Sequence, residues 1–339
     1  MARQPGYSLP ELTRHLKGVL VRLPNWMGDM LMSRPALAHL REGGFHEIIG
    51  LVPDRYLPLA RMFPELDTCI PLSDLKKKPM PQFDDYVGLA LPNSLRSVLD
   101  LKRAGCPVRI GYRMPERMWG LTHAFYPPKS RIWEVERFFR LAHTLVTAIK
   151  GRTESYAPVP PVPPIVKQVS MNKRTGNLRI VIHTGASKRP RRWPIRRFVQ
   201  LAEKIKKDFT PDVRLFMDEP IQNLPKHLEV HIYPPLEQLI DAVRTCDLFI
   251  GNDAGPAHLA AAFDRKTVIL YGPGHPSLHR PAPGPGTIFP VTLNWACSPC
   301  RQRFWKECCP IEPDTPACLY ALLTEDVIAA VRKALSTMD

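Results

Sequence analysis

Short apolar runs alternate with longer amphipathic stretches along this chain, and the alternation runs through both halves. Apolar runs that end at glycine, proline or a charged residue predict buried strands of a parallel sheet. The amphipathic stretches between them predict helices that cover the sheet, which is the pattern of α/β layers. In the first half, strands are predicted at 19–23, 47–52 and 86–91, and helices at 30–41, 94–104 and 133–149.

Proline recurs through residues 157–164, and the pattern then starts again. Such a segment is typical of a semi-rigid linker. We therefore predict two Rossmann-like domains, residues 1–160 and 161–339, which also suits a length of 339 residues. In the second, strands are predicted at 178–183, 213–217, 247–250 and 267–271, and helices at 195–207, 236–245, 256–263 and 325–335, the last N-capped by Thr324.

An aspartate stands at a strand-to-helix junction in each half. Asp253 follows the apolar run that ends at Gly251, and Asp29 follows Gly28 after the first strand. Ligands bind at the carboxyl edge of parallel sheets, and a helix N-terminus there holds phosphate groups. Asp253 then accepts hydrogen bonds from a sugar. The alternative is structural: both aspartates are helix N-caps, and Gly255 supplies backbone freedom.

Residues 24–32 (PNWMGDMLM) resemble the N-terminal signature of the family 9 glycosyltransferases, the lipopolysaccharide heptosyltransferases, and especially heptosyltransferase II. Residues 251–262 are similar to the donor motif of that family. Segments 109–112, 133–137 and 185–194 agree in order, as do the C-terminal cysteines with residues 323–327. The resemblance covers about residues 18–335. It implies the GT-B fold, two Rossmann-like domains whose parallel sheets face each other across a cleft.

Inverting glycosyl transfer needs a carboxylate that takes the proton of the attacking hydroxyl, and we predict that Asp29 is this base. The resemblance assigns catalysis to the same aspartate. The leaving group needs positive charge, and no Asp-x-Asp metal motif occurs in the sequence. Fixed cations and helix N–H groups are the alternative to a metal ion. The basic segment 183–194, which follows a predicted strand, supplies such cations.

The resemblance also implies the donor-binding residues. The family has a lysine two positions before the Trp-Pro pair that binds the donor phosphates, where this chain has Arg191; Lys188 is the alternative. The other positions are Ser187 and His258 near the phosphates, Gly255 with its backbone N–H, Asp253 at the sugar, and Ala254, where relatives often have Ser or Thr. For the arginines beside Arg191 we expect a solvated surface.

The net charge of +15 indicates an anionic partner. No nucleic-acid-binding module is recognisable, and the basic residues occur in small groups at 76–78, 113–117, 188–197 and 301–306. This distribution suits an enzyme that works on an acidic glycolipid at a negatively charged membrane. The sequence has no apolar run of the roughly 20 residues that span a bilayer, and we expect no signal peptide. We expect a cytoplasmic protein, peripheral at the inner face of the inner membrane.

Eight cysteines fall into two groups. Cys69, Cys106 and Cys246 lie in apolar surroundings and are predicted to be buried. The segment 297–318, which precedes the closing helix, holds the other five. A structural zinc site of Cys297, Cys300, Cys309 and Cys318 is the alternative to reduced thiols in a buried loop, which we favour. We expect this segment to be remote from both aspartate turns, because it follows the last predicted strand.

These observations predict an inverting, metal-independent glycosyltransferase without a cofactor. The resemblance implies that it moves heptose from ADP-heptose to the lipopolysaccharide inner core, with the acceptor on the first domain and the donor on the second. One alternative is a family 9 transferase that uses another nucleotide sugar. Two others are a non-catalytic nucleotide-sugar-binding protein and a sugar-nucleotide epimerase; the latter needs further acids around the sugar, which the motifs lack.

Overall fold

The structure is a computed structural model that describes residues 15–77, 82–152, 155–165, 177–284, 286–298, 300, 309–312 and 315–337. The chain divides into two compact units, Met1–Val162 and Pro163–Asp339. The boundary falls inside the proline-rich segment 157–164, which has no regular secondary structure. The roles predicted for the two domains, acceptor binding and donor binding, stay predictions.

The first unit is a six-stranded parallel sheet flanked by helices. Its strands are β1 (Gly18–Arg22), β2 (Ile48–Val52), β3 (Thr68–Pro71), β4 (Tyr86–Ala90), β5 (Val108–Tyr112) and β6 (His123–Phe125), in the order β3-β2-β1-β4-β5-β6. Its helices are α1 (Met27–Met32), α2 (Arg34–Glu42), α3 (Leu57–Ala60), α4 (Leu95–Arg103) and α5 (Glu134–Ile149). Strand β1 lies at the centre, and every residue in it is buried. Burial on both faces explains why its sequence is a continuous apolar run.

The second unit has the same kind of sheet. Its strands are β7 (Arg179–His183), β8 (Asp212–Met217), β9 (Glu229–Ile232), β10 (Leu248–Asn252), β11 (Lys266–Leu270) and β12 (Ile288–Val291), in the order β12-β11-β10-β7-β8-β9. Its helices are α6 (Ile195–Phe209), α7 (Leu236–Thr245), α8 (Gly255–Ala262), α9 (Pro276–His279), α10 (Ala317–Tyr320) and α11 (Thr324–Ser336). A small antiparallel pair joins β13 (Pro310–Glu312) to β14 (Thr315–Pro316).

Both sheets follow one topology. Counted along the chain within each unit, the strand order is three-two-one-four-five-six, the doubly wound Rossmann arrangement. The strand order reverses between the first and fourth strands, so loops after these two strands separate and leave a crevice. In the first unit these are β1 and β4, and in the second they are β7 and β10. Ligands of this fold bind at this switch point, outside the carboxyl ends of the strands.

The predicted helices are found with two differences. The helix predicted at 30–41 is two helices, α1 and α2, because the chain breaks at Ser33. The closing helix begins at Thr324, so its N-cap is Leu323 and not Thr324. Asp326 accepts a hydrogen bond from the backbone N–H of Leu323 at 2.8 Å, which satisfies one of the donors at this helix end.

Candidate active site

Asn252, the last residue of β10, joins the two loops that border the switch point of the second unit. Its side-chain oxygen accepts a hydrogen bond from the backbone N–H of Trp193 at 2.9 Å. Its amide nitrogen donates to the carbonyl of Thr184 at 2.7 Å. Trp193 is buried and donates its indole N–H to the carbonyl of Leu322 at 2.9 Å. The Trp-Pro pair singled out in the sequence therefore anchors the basic loop beside the end of β10.

Asp253 follows Asn252 and is 2% exposed. Its Oδ2 lies 3.3 Å from Nη1 of Arg191, an ion pair in which neither carboxylate oxygen has an aligned hydrogen-bond partner among the described residues. Burial raises the pKa of Asp253 to about 6, against the opposing effect of the charges of Arg191 and Lys188. Buried polar atoms are normally hydrogen-bonded, so these oxygens are acceptors ready for a ligand's hydroxyl groups.

Two further side chains, which the sequence analysis missed, complete the surroundings of Asp253. His279 lies at the end of α9, with Nδ1 4.0 Å from Oδ2 of Asp253 and Nε2 3.4 Å from Nη2 of Arg191. Tyr271 is buried, and its hydroxyl has no hydrogen-bond partner among the described residues. Burial raises its pKa well above the usual value, and the charge of Asp253 adds to the shift. Tyr271 could have been identified as a site residue, because it is the last residue of a predicted strand. The sequence contains no motif that would have identified His279.

The first turn of α8 offers fewer donors than the sequence predicted. Ala254 is the N-cap, so Asp253 is not, and its methyl group caps nothing. Pro256 has no N–H, and the N–H of Ala257 donates to the carbonyl of Ala254 at 3.1 Å. Gly255 is the first helical residue, so it needs no special backbone freedom there. Its own N–H is the first-turn donor that this helix end presents to an anion.

His258 lies one turn into α8 and is 5% exposed. Burial, with smaller contributions from His279 and Arg191, lowers its pKa to about 3. The imidazole is therefore neutral at physiological pH. Its Nδ1 is buried without a hydrogen-bond partner among the described residues.

The basic loop after β7 contains both exposed side chains and side chains that are hydrogen-bonded to backbone carbonyls. Ser187 and Lys188 are exposed. Arg192 donates from Nε to the carbonyl of Ala186 at 2.7 Å, and Arg197 donates to the carbonyl of Leu322 at 2.7 Å. The expectation of a solvated surface for the arginines beside Arg191 was therefore wrong for Arg192. Arg192 and Arg197 both hold the loop. They line a cavity of about 600 Å³ together with Arg189, Arg196, Asp218 and Glu219.

The sequence predicts that the cysteine segment is remote from both aspartate turns, and this prediction is wrong for the turn at Asp253. The N–H of Cys300 donates to the carbonyl of Pro273 at 2.9 Å, and the hydroxyl of Ser298 donates to the carbonyl of Gly274 at 3.2 Å. Gly274 in turn packs against Oδ2 of Asp253 so closely that a Cβ there would collide with it. The chain returns to this edge of the sheet after β12, a tertiary contact that sequence order conceals.

One cavity of about 40 Å³ is lined by residues that include Cys297, Cys300, Cys309 and Cys318. Burial raises the pKa of Cys318 to about 11, and the neighbouring Cys309 and Cys297 add to the shift. Among the residues that the structure describes, no three His, Cys, Asp or Glu side chains form a group that could hold a metal ion. Cys308 lies outside the described residues. The choice between reduced thiols and zinc therefore stays a prediction.

Asp29 occupies the third position of α1, half-buried, at the carboxyl edge of the first sheet. The N-cap of this helix is Trp26, so the proposed structural role of Asp29 as an N-cap is wrong. An acid in the first turn still stabilises a helix, because it faces the positive end of the helix dipole. The cap residue Trp26 is 52% exposed, and the guanidinium of Arg55 lies 5.2 Å from its ring centroid.

Arg137 is partly buried and lies close enough to Asp29 for the two charges to interact. Burial lowers the pKa of Arg137, but the hydrogen bond to Glu134 and the charges of Glu134, Tyr112 and Asp29 together raise it overall. Both Glu134 and Arg137 belong to a segment that the resemblance singled out. Arg117 is buried and donates to the carbonyl of Pro92 at 2.8 Å. Burial lowers its pKa to about 10.

No helix in the described part of the chain has the length and apolar character that crossing a membrane requires.

Known proteins match this chain over most of its length. The family model described as glycosyltransferase family 9 (heptosyltransferase) matches residues 81–308. Lipopolysaccharide heptosyltransferase 2 of Escherichia coli is 27% identical over 310 residues, which cover 78% of this chain and 85% of that protein. Lipooligosaccharide heptosyltransferase 2 of Haemophilus influenzae is 28% identical over 306 residues, which cover 80% of this chain and 87% of that protein.

Among solved structures, the E. coli ADP-heptose LPS heptosyltransferase II superposes with a TM-score of 0.70. It is 22% identical to this chain, and the match covers 95% of this chain and 99% of that one. The predicted fold class, two Rossmann-like domains of the GT-B type, is thereby confirmed.

Proposed function

Because this chain belongs to glycosyltransferase family 9, we propose that it transfers heptose from ADP-heptose to the lipopolysaccharide inner core, with inversion and without a metal ion. The relatives carry the name lipopolysaccharide or lipooligosaccharide heptosyltransferase, and the name of the superposed structure includes ADP-heptose. The observation that carries the proposal for this chain is the ion pair of the buried Asp253 with Arg191 at the switch point of the second sheet.

This pair has a partner for each part of a nucleotide sugar, the diphosphate and the sugar. A diphosphate takes charge-assisted hydrogen bonds from Arg191 and Lys188 and one from the N–H of Gly255. The buried oxygens of Asp253 accept from the hydroxyl groups of the sugar, which removes the cost of leaving them without partners. Neutral His258 adds a hydrogen bond without adding charge.

The proposed reaction is a single displacement. The acceptor hydroxyl oxygen forms a bond to the anomeric carbon while the bond from that carbon to the phosphate oxygen breaks. Asp29 takes the proton of the hydroxyl, and ADP leaves with the bonding electron pair. The negative charge that develops on ADP is stabilised by Arg191 and Lys188, the part that a divalent ion plays in Asp-x-Asp transferases. The half-buried position of Asp29 in α1 supports this role, because the carboxylate is fixed yet reachable.

The acceptor is proposed to be anionic and to lie at the inner membrane surface. The net charge of +15 and the position of Arg137 near Asp29 support an acceptor that carries phosphate or carboxylate groups. Attraction of basic side chains to anionic lipids adds to this effect at a membrane.

The decisive experiment is a donor panel. Purified protein is incubated in excess EDTA with a heptose-acceptor inner-core lipid and, separately, with ADP-heptose, other ADP-sugars and UDP-sugars. Mass spectrometry is expected to show one added heptose with ADP-heptose only, and NMR an inverted anomeric centre. Transfer from another donor identifies the alternative, a family 9 enzyme for a different nucleotide sugar. Loss of transfer in EDTA, with recovery on Mg²⁺ addition, contradicts the metal-free mechanism.

A further inference from the structure

His279 lies beside Asp253 and Arg191, the two charged groups of the proposed donor site. Its contacts define which ring nitrogen carries the proton. Nε2 lies within hydrogen-bonding distance of Nη2 of Arg191, at 3.4 Å. A guanidinium group only donates hydrogen bonds, so Nε2 is the acceptor in this contact. A neutral ring that accepts at Nε2 carries its proton on Nδ1. Nδ1 lies 4.0 Å from Oδ2 of Asp253, so the N–H is on the side of the carboxylate.

From this geometry we propose that His279 is a positioning residue, which holds Arg191 for the donor diphosphate and orients Asp253 for the donor sugar. The inference rests on the proposed function, in which these two groups bind the nucleotide sugar. Oδ2 of Asp253 then faces two donors, Arg191 and His279, and Oδ1 is left for a sugar hydroxyl. Both oxygens are buried.

The surrounding backbone fixes His279 in this place. The short helix α9 begins after His275, whose Nδ1 accepts a hydrogen bond from the N–H of Ser277 at 3.1 Å. Gly274 lies against both partners, because a Cβ at this position would collide with Oδ2 of Asp253 and lie 3.4 Å from Nδ1 of His279. The loop from Gly274 to His279 thus follows the carboxylate closely. The contact of Nε2 with Arg191 and the carboxylate on the side of Nδ1 together favour one orientation and one tautomer of the imidazole.

Three substitutions of His279 distinguish the effects of the contact at Nε2, the contact at Nδ1 and the volume of the ring. His279→Gln keeps an acceptor near the position of Nε2, His279→Asn keeps a donor near the position of Nδ1, and His279→Phe keeps the ring and removes both. The measurements are the Kd of ADP by calorimetry, the KM and kcat with ADP-heptose, and the melting temperature. His227→Phe is the control for the loss of a histidine, because His227 is more than half exposed and distant in sequence from the site.

We expect His279→Phe to raise the Kd of ADP and the KM for ADP-heptose about tenfold, the usual loss for a hydrogen bond to a charged group. His279→Gln should stay within about threefold of the wild type for ADP, since it still accepts from Arg191. His279→Asn should weaken ADP binding but keep part of the affinity for the sugar-bearing donor. Equal constants for the Gln and Phe variants overturn the proposal, and so does a Phe variant with wild-type constants. If the Phe variant does not fold, His279→Ala takes its place under the same criteria.

A double-mutant cycle tests whether His279 acts through Arg191. In the background of Arg191→Ala, the change His279→Phe should alter the Kd of ADP by less than about twofold, because the group it positions is gone. A full additional tenfold loss contradicts the positioning role. The ADP measurements also distinguish this inference from the proposed function. A wild type that binds ADP and responds to these variants but transfers no heptose refutes the proposed reaction alone, whereas a wild type that binds no ADP refutes both.

Discussion

The turn after β1 and the turn after β10 have the same sequence pattern, in which a glycine and an aspartate follow an apolar strand near the start of a helix. The two aspartates nevertheless differ in their surroundings. Asp29 lies inside α1 and is half-buried, after the first strand of its sheet. Asp253 lies before α8 and is 2% exposed, after the fourth strand of its sheet. The two sheets have the same strand order, but the aspartates do not occupy equivalent positions in it.

This difference separates a group suited to proton transfer from a group suited to binding. A base must reach a proton and pass it on, which a half-buried carboxylate in a helix's first turn does. Asp253 is buried beside Arg191 and has a pKa raised to about 6 by that burial, so in the ligand-free protein its charge is a cost. Such a cost is typical of binding sites, where stability is lower because the site is arranged for its ligand.

The substitution with the largest expected effect is Asp29→Asn. Loss of a general base typically lowers the rate about 10²–10⁴-fold. Asn keeps the size of the side chain, so we expect the Kd of ADP to be unchanged and the free energy of unfolding to change by less than about 1 kcal/mol. Steady-state kinetics, calorimetry and urea unfolding measure the three quantities. A variant that keeps more than about a tenth of the wild-type rate shows that another group is the base.

Asp253→Asn is expected to stabilise the protein at neutral pH. The native pKa is about 6 and the unfolded value is 3.8, so between these the native state binds more protons than the unfolded state. Stability is therefore lost as the pH rises from about 4 to about 6, and the penalty is complete above that. Two pKa units correspond to about 3 kcal/mol, which the neutral Asn avoids.

Urea unfolding of Asp253→Asn and the wild type at pH 4, 5, 6 and 7.5 measures this prediction. The variant should be more stable by up to about 3 kcal/mol at pH 7.5 and equal to the wild type near pH 4, while heptose transfer is lost. Asp247→Asn is the matched control, because Asp247 directly precedes β10 and accepts a hydrogen bond from the N–H of Arg179 at 2.8 Å. A variant at 253 that is less stable than the wild type at pH 7.5 contradicts the assigned environment.

Arg191→Ala tests the cationic part of the second site. Removal of a direct charge-assisted contact should weaken donor binding by about 1.5–3 kcal/mol, measured as the Kd of ADP in EDTA. Arg191→Lys keeps the charge and loses the forked geometry, so an intermediate Kd is expected. Arg332→Ala is the control, since the side chain of Arg332 is 63% exposed on α11. An unchanged Kd for Arg191→Ala would assign the phosphate to Lys188.

The smallest expected effect belongs to the cysteine segment. Replacing Cys297 and Cys300 together with Ser should lower the melting temperature and, because this segment is hydrogen-bonded to Pro273 and Gly274, raise the Kd of ADP about twofold. Cys69→Ser in the first unit is the matched control, with no change in the Kd of ADP. One tightly bound zinc per chain in elemental analysis would replace the interpretation as reduced thiols.

The central strands and both aspartates were accessible to sequence analysis because their signals are local. Strands β1 and β10 are buried throughout, which requires a continuous apolar run that can be read without a structure. The edge strands β3 and β6 were missed, since they are short and only half-buried, so their sequences need no such run. Strand β5 was missed although it is mostly buried, because Arg109 interrupts its apolar run.

The surroundings of Asp253 were decided only by the tertiary structure. Tyr271 and the loop from Gly274 to His279 reach it because β11 pairs with β10, and Arg191 reaches it because β7 pairs with β10 on the other side. Parallel neighbours in a sheet come from distant parts of a sequence, so no local spacing encodes which loops meet at the carboxyl edge. The sequence alone determined that an acid stands at the end of β10. Its burial, its raised pKa and its partner histidine depend on what the other strands bring beside it.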